Sequence, residues 1–275
     1  MREPRLTVIC HFRNEEVYLR YWLRHHLHLF DHGVLIDYAS TDRSREVIRA
    51  FAPHWEVRAS RNDAFASAAV DAEVMDIERE FGGWKMCLNA TEFLVHHDLR
   101  EYLAGFRARH PAAAGVMTTG LIVQDAPDQV GVPLTDADLW DQRHFGCAEP
   151  DVVNGNCHLR RRLLHRDTHG RYGPGRHTNG VTDLRDPPLY LFWYGWCPLD
   201  MKKARNRSTR PMVPGCDLAR GWGVHHTMAD DEVDEAWRAY LPRCHDLLDG
   251  RYPGLNEAVA KLPRTGGGNP RSGGK

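Results

Sequence analysis

Three short stretches of this 275-residue sequence carry side chains that bind ions or move protons. They are 13–15, 37–42 and 89–92. An arginine fork makes bidentate contacts to phosphates and carboxylates, while carboxylate and amide oxygens ligate hard cations or accept a proton. The side chains that could do this chemistry are Arg13, Asn14, Glu15, Asp37, Ser40, Asp42, Asn89, Thr91 and Glu92.

Each stretch lies at the end of, or within, a run of residues that predicts a β-strand. The predicted strands cover 6–12, 34–40 and 84–96, and apolar residues recur at helical spacing over 15–30 and 63–81. Strands that alternate with helices form parallel sheets with right-handed crossovers. Because ligands bind beyond the carboxyl ends of such strands, we expect the three stretches to meet at one sheet edge.

The rest of the chain is less regular. A helix over 98–110 and one or two strands over 112–125 complete the first half. Proline, glycine and histidine cluster after residue 125. The later predicted elements are a polar strand over 157–166, an apolar strand or buried helix start over 189–199, and a helix over 230–248.

We therefore predict an α/β fold with a mostly parallel sheet flanked by helices. An irregular C-terminal half covers one edge of this sheet. A single domain over 1–262 would divide into halves at 1–125 and 126–262. The tail over 263–275 has almost no apolar residue to bury and is expected to be disordered.

Composition excludes several classes of protein. The chain carries 36 Lys and Arg against 37 Asp and Glu, which argues against a general nucleic-acid binder. Its seven cysteines are scattered without a Cys-x-x-Cys pair, which argues against a disulfide framework and a cysteine zinc site. No apolar run spans a bilayer and no signal peptide is recognisable, so we expect a cytoplasmic protein.

Arginine accounts for 31 of the 36 Lys and Arg residues. This bias has two interpretations. Arginine is suited to bidentate recognition of phosphates and carboxylates, but a GC-rich genome also replaces lysine by arginine without a functional cause. A localised anion site therefore remains open.

The polar stretches together resemble those of GT-A glycosyltransferases, specifically the family 2-like and family 92-like bacterial enzymes. In these enzymes a segment N-E-x-x-x-L-x-x-W-x-x-[HY]-H is followed by an aspartate, by S-T-D and by D-x-D-E-F. The corresponding residues here are Asn14, Glu15, Leu19, Trp22, His25, His26, Asp37, Ser40, Thr41, Asp42 and, at the last motif, Asn89-Ala90-Thr91-Glu92.

The resemblance implies a GT-A type, Rossmann-like fold and a hexosyltransferase-type reaction. A sugar would pass from a UDP- or GDP-sugar to an acceptor hydroxyl, with inversion at the anomeric carbon. The acceptor would be a glycan or a lipid-linked glycan of cell-surface polysaccharide synthesis, met at the inner face of the membrane. The implied nucleotide-sugar-binding residues are Arg13, Asn14, Glu15, Asp37, Ser40, Asp42, Asn89, Thr91, Arg205 and Arg207.

The metal motif departs from the family pattern. GT-A enzymes use Mn²⁺ or Mg²⁺ to neutralise the leaving diphosphate, and such cations prefer charged oxygens. Here Glu92 is the one carboxylate and Asn89 offers a neutral oxygen. His225 or His226, after a Gly-Trp-Gly turn, is the further candidate ligand. Arginines could take over part of the neutralisation, and the candidates are Arg160, Arg161, Arg162, Arg205 and Arg207.

Inversion requires one base, for which Asp217 is the first candidate and Glu92 the second. The main alternative is a catalytically impaired protein that binds nucleotide sugars or glycans. Another α/β enzyme, such as a methyltransferase or sulfotransferase, is disfavoured because no G-x-G-x-x-G or P-loop follows the first strand.

Several candidate residues also have purely structural interpretations. Asp37 and Asp42 could form a turn and a helix cap, and Asn14 and Glu15 could cap the first helix. His25 and His26 suit packing beside Trp22. The Asp71, Met75 and Glu78 face of the third helix could line a donor cleft or face solvent.

Overall fold

A computed structural model describes residues 5–148, 161–184 and 188–264 of the chain. The described strands form two sheets, with strand orders β10-β6-β9-β4-β1-β2-β3 and β12-β8-β7-β11-β5. The strands are β1 Leu6–Phe12, β2 His32–Asp37, β3 Glu56–Ala59, β4 Trp84–Asn89, β5 Glu92–Val95, β6 Gly115–Met117, β7 Thr119–Gln124, β8 Phe145–Cys147, β9 Leu163–His165, β10 Asp183–Leu184, β11 Tyr190–Trp196 and β12 His245–Asp246. The helices are α1 Glu16–His26, α2 Ser44–Phe51, α3 Ser67–Glu78, α4 Leu99–Arg109, α5 Leu139–Gln142, α6 Leu199–Thr209, α7 Gly215–Leu218, α8 Asp230–Tyr240 and α9 Leu255–Ala260.

The first sheet is built around β1, which pairs in parallel with β2 on one side and β4 on the other. Successive residues of β1 face opposite sides, as the two-residue period of a strand requires. Val8 and Cys10 lie in the main apolar core, and Ile9 joins a second core with Val74 and Ile77 of α3. Both faces of these strands are therefore covered, as parallel strands require.

Helices α1, α2 and α4 contribute to the main core, whereas α3 packs on the opposite face. Asp98 caps α4 by accepting from the backbone N–H groups of Arg100 and Glu101. This arrangement confirms the predicted α/β fold with a mostly parallel sheet flanked by helices. Among the described residues no helix is both long enough and apolar enough to cross a membrane.

The predicted strand over 84–96 is wrong as a single element. The chain leaves the first sheet after Asn89, turns at Ala90 and Thr91, and starts β5 of the second sheet at Glu92. The polar Asn-Ala-Thr-Glu sequence is thus the junction between two sheets. This junction is the packing reason for a polar break inside an apolar run.

The second sheet brings β5 and β7 of the first half beside β11 of the second half. The apolar run after residue 188 is therefore a strand, and its Trp196 packs with Val233 and Tyr240 of α8. In return, β9 inserts between β4 and β6 of the first sheet. Residues before and after 125 consequently contribute to both sheets.

Helix α1 is joined to β5 by two adjacent histidines. His25 Nε2 donates to the carbonyl of Leu94 at 2.6 Å, and Leu94 N–H donates to His26 Nε2 at 3.3 Å. The Nδ1 of His26 donates to the carbonyl of Trp22 at 2.8 Å. Both imidazoles are buried and act as neutral groups that satisfy the backbone of one strand residue.

Candidate functional site

The three polar stretches meet at one edge of the first sheet, at the carboxyl ends of β1, β2 and β4. Phe12 pairs with Asp37 across β1 and β2, and His11 pairs with Asn89 across β1 and β4. The residues that follow each strand therefore start from neighbouring positions. This edge is the candidate functional site.

The loop after β1 and the loop after β2 are held together by side-chain to backbone hydrogen bonds. Asn14 N–H donates to Ser40 Oγ at 3.0 Å, and Thr41 N–H donates to Asn14 Oδ1 at 2.7 Å. Asp42 accepts from Glu16 N–H at 3.0 Å and so caps the start of α1 from the neighbouring loop. Asn14, Ser40 and Asp42 thus fix the shape of this edge.

Asp37 is buried and its carboxylate already has partners. One oxygen accepts from Ser40 N–H at 2.9 Å, and the other accepts from Arg45 Nε at 2.5 Å. Arg13 lies beside it and donates through Nη1 to the carbonyl of Tyr38 at 2.7 Å. The Nε of Arg13 is buried without a partner among the described residues.

Glu92 is 1% exposed and is held by Arg162 of the second half. Arg162 Nε and Nη2 donate to its two oxygens at 2.8 and 2.6 Å. Asn89 adds its backbone N–H at 2.8 Å and its side-chain amide at 3.1 Å. Thr91 is buried and contributes its carbonyl, which accepts from Tyr194 N–H at 2.8 Å. The two-point contact between Arg162 and Glu92 is the strong form of a guanidinium–carboxylate interaction.

Arg176 inserts a second guanidinium into the same edge. Its Nη1 donates to Asp71 Oδ1 at 2.5 Å, and its Nη2 donates to Asn89 Oδ1 at 2.9 Å and to His11 Nδ1 at 3.4 Å. Burial, followed by the charges of Arg176 and Arg162, lowers the pKa of His11 well below its usual range. His11 is therefore neutral and can accept this hydrogen bond.

Glu15 and Arg205, both predicted donor-site residues, form an ion pair. Arg205 Nε donates to Glu15 Oε1 at 2.8 Å, and its guanidinium lies 5.1 Å from the centre of the Tyr18 ring. Burial raises the pKa of Glu15, and the charge of Arg205 offsets part of this effect. Arg207 lies elsewhere, with an exposed side chain that pairs with Asp230.

The late histidines lie on a short 3₁₀ turn, Val224–His226. The centres of the His225 and His226 rings are 3.9 Å apart. The charge of His226 is the smallest of the causes that lower the pKa of His11, after burial, Arg176 and Arg162. His225 accepts through its carbonyl from Lys202 and Asn206.

Asp217 lies on α7 and is 3% exposed. Its Oδ2 accepts from the backbone N–H of Ser67, the first residue of α3, at 2.7 Å. No side chain of the residue before α3 caps that helix, so Asp217 supplies the cap from 150 residues away in the sequence. The other oxygen, Oδ1, is 3.9 Å from the Cys216 thiol.

No protein-family model matches this chain, and no curated protein matches its sequence. Residues 1–349 of S. aureus TarS, a structure also solved with UDP and with UDP-GlcNAc, are 12% identical with a TM-score of 0.39. That match covers 92% of this chain and 73% of the fragment. A second structure of S. aureus TarS is also 12% identical, with a TM-score of 0.38. The match covers 87% of the present chain and 43% of that TarS chain.

A second similar structure is glucosyl-3-phosphoglycerate synthase from Mycobacterium tuberculosis, solved with Mn²⁺, UDP and glucosyl-3-phosphoglycerate. It is 11% identical, has a TM-score of 0.29 and covers 47% of each chain. A likeness at these levels assigns no activity to the present chain.

The residues at the implied metal motif do not fit a divalent cation. Both Glu92 oxygens accept from Arg162, and the Asn89 oxygen accepts from Arg176. A cation placed there would displace two buried guanidiniums that repel it. No group of three His, Cys, Asp or Glu side chains suited to a metal ion occurs in the described ranges.

Sequence reasoning did not select Arg176 or His11, and it left Asp71 open between a cleft and a solvated face. The signal for Arg176 was the Gly173-Pro174-Gly175 turn before it, because closely spaced glycines allow a backbone to fold back on a site. Gly175 has φ 74° and Arg176 itself has φ 60°. Of the predicted arginines, Arg162 lies at the motif, whereas Arg160 lies outside the described residues.

Proposed function

We propose that this chain is a glycosyltransferase that takes a sugar from a nucleotide-diphosphate donor. One observation carries the proposal, namely that the ends of β1, β2 and β4 lie at one sheet edge. The segments gathered there are the ones that resemble GT-A donor-binding motifs. In parallel α/β sheets this edge is where ligands bind.

In the proposed reaction an acceptor hydroxyl oxygen attacks the anomeric carbon of the donor sugar. The bond from that carbon to the diphosphate breaks, the diphosphate leaves with the electron pair, and the hydroxyl proton passes to a carboxylate. Attack opposite the leaving group inverts the anomeric centre. Under the resemblance, the acceptor is a glycan or lipid-linked glycan of the cell surface.

The contacts favour Asp217 over Glu92 as the base. Both oxygens of Glu92 already accept hydrogen bonds from the fork of Arg162, which leaves them poorly placed to meet an acceptor hydroxyl. Asp217 accepts from Ser67 N–H through Oδ2, while the weak donor at its Oδ1 is the Cys216 thiol at 3.9 Å. An acceptor hydroxyl would therefore have one carboxylate oxygen to approach.

Donor-dependent release of nucleoside diphosphate tests the proposal. We would incubate the chain with a panel of UDP- and GDP-sugars, in EDTA, in Mg²⁺ and in Mn²⁺, and measure the nucleotide released. Release from one donor class, faster with an added glycan acceptor, is the expected result. If the chain neither releases nor binds nucleoside diphosphate under any of these conditions, the proposed function is excluded.

The second candidate is a nucleotide-sugar or glycan-binding protein without turnover. The specific observation that favours it is the burial of both candidate bases, with Glu92 1% and Asp217 3% exposed. Saturable binding of UDP or GDP without release of nucleotide from any donor would select this candidate over the enzyme.

A further inference from the structure

The guanidinium of Arg176 lies where a cation would be expected. Its partners are a carboxylate oxygen of Asp71, an amide oxygen of Asn89 and a neutral imidazole nitrogen of His11. Carboxylate, amide and imidazole are groups that ligate metal ions in other proteins. Here all three converge on one fixed organic cation that is 3% exposed.

Arg176 is held in place by contacts of its own loop. Its loop closes on itself, because Arg176 N–H donates to the carbonyl of Gly173 at 2.9 Å and Gly173 N–H donates to that of Thr178 at 3.1 Å. Gly175 N–H donates to the second oxygen of Asp71 at 2.8 Å, so one carboxylate anchors both backbone and side chain. A charge held in this way is fixed in position by the protein itself.

Arg176 also has one nitrogen that makes no hydrogen bond to the described part of the chain. Its Nε is buried and has no hydrogen-bond partner among the described residues. Leaving a buried charged donor unsatisfied is unfavourable, and such groups in native proteins usually have a ligand or water as partner. Phosphate and carboxylate oxygens are the acceptors that suit a guanidinium best, and a nucleotide-diphosphate donor brings phosphate.

We propose that Arg176 is the built-in positive charge that receives the donor diphosphate, in place of a divalent metal ion. This inference rests on the proposed function and specifies its charge chemistry. Arg162 has a different role, because its Nε and Nη2 donate to Glu92 and so hold the 89–92 motif in place beside Arg176. The protein therefore binds nucleoside diphosphate without Mn²⁺ or Mg²⁺.

Calorimetric titration of UDP and GDP into the full chain tests this inference. Wild type should bind with the same affinity in EDTA and in MnCl₂, within about two-fold, because the cation is covalently part of the chain. Arg176→Gln should weaken nucleoside-diphosphate binding at least about ten-fold, with Arg176→Lys in between, since lysine keeps the charge and loses the fork. Binding of uridine or guanosine, which lack phosphate, should not change.

Arg171→Gln is the matched control. Arg171 lies in the same loop with positive φ, but its side chain is exposed and pairs with Asp167. This variant should bind UDP and GDP as wild type does.

Two results of the calorimetric titration, and one of a separate Mn²⁺ titration, can overturn the inference while the proposed function stands. The first two are wild-type binding that requires Mn²⁺, and folded Arg176 variants that bind nucleoside diphosphate as wild type does. If Arg176→Gln does not fold, the EDTA and MnCl₂ comparison on wild type still decides.

Mn²⁺ titrated alone, followed by its electron paramagnetic resonance signal, should remain free, and stoichiometric binding would contradict the inference. Absence of nucleoside-diphosphate binding in every buffer would remove both this inference and the proposed function.

Discussion

Glu92 and Arg162 are 70 residues apart in the sequence and form a bidentate ion pair with distances of 2.8 and 2.6 Å. Glu92 is the first residue of β5, and Arg162 lies directly before β9, so the pair links the second sheet to the first. Both side chains are almost completely buried. A buried pair is strongly destabilising when one partner is removed, because the other charge remains without compensation.

We therefore expect Glu92→Gln to lower the free energy of unfolding by about 3–5 kcal/mol. The double variant Glu92→Gln with Arg162→Met should lose less free energy of unfolding than the two single variants lose together. Urea denaturation of wild type, both single variants and the double variant would measure these losses. Asp167→Asn removes a partner from the exposed Arg171 pair and serves as control, with a loss under about 1 kcal/mol. Additive single changes would contradict the coupling.

Stability should decrease in acid because of the buried histidines of α1. Burial, with a smaller contribution from His28, lowers the pKa of His25 to about 3. The unfolded chain, with an ordinary histidine pKa of about 6.5, binds more protons between these values, so the contribution is complete above pH ~6.5 and is lost progressively as the pH falls towards 3. At pH ~5 this group alone should reduce the free energy of unfolding by about 2 kcal/mol.

Urea denaturation at several pH values would check this loss. His25→Gln should show a shallower decrease between pH ~7 and pH ~5 than wild type. His54 is exposed, so His54→Gln should follow the wild-type curve. Parallel curves for all three proteins would exclude His25 as the source.

Asp217 has a structural and a proposed catalytic contribution that two variants separate. Asp217→Ala removes the cap of α3 and should lower the free energy of unfolding by about 1 kcal/mol. Asp217→Asn keeps an oxygen for Ser67 N–H and should lower it by less. If Asp217 is the base, Asp217→Asn should still lower kcat by about 10²–10⁴-fold with little change in KM. Full transfer activity in a stable Asp217→Asn protein would exclude that role.

Gly33 of β2 lies against the ring of Trp55. A Cβ at this position would come within 2.2 Å of the ring, so alanine requires the tryptophan to move. Gly33→Ala should lower the free energy of unfolding by about 1–3 kcal/mol, as overpacked cores do. Gly82→Ala is the control, because nothing lies within 4 Å of a Cβ there. Equal melting temperatures for the two variants would contradict the prediction.

The alternating order of strands and helices was predictable because apolar periodicity reports local structure directly. The first strand is observed at Leu6–Phe12, as predicted, and the polar stretches lie at the ends expected of parallel strands. Boundaries were less predictable, since the first helix ends at His26, before the apolar pattern ends at Phe30. Its last turn is completed by contacts with β5 that come from distant sequence.

The charges at the site could not be predicted from sequence, because their partners are distant. Arg176 meets Asp71 across 105 residues and Asn89 across 87 residues. Composition alone could not say which arginines had a local function. The structure assigns Arg162 and Arg176 to the changed metal motif, while Arg207 pairs on the surface.

The contact of His25 and His26 with Leu94 also covers part of the edge of the second sheet. Among the described strands β5 is one of the two edge strands of its sheet, and the backbone groups of an edge strand can recruit a strand from another molecule. Here the two imidazoles occupy the N–H and C=O of Leu94 on the side away from β11. Side chains of a helix thus take the place of a further strand at this residue, so its N–H and C=O are not available to pair with a strand of another molecule.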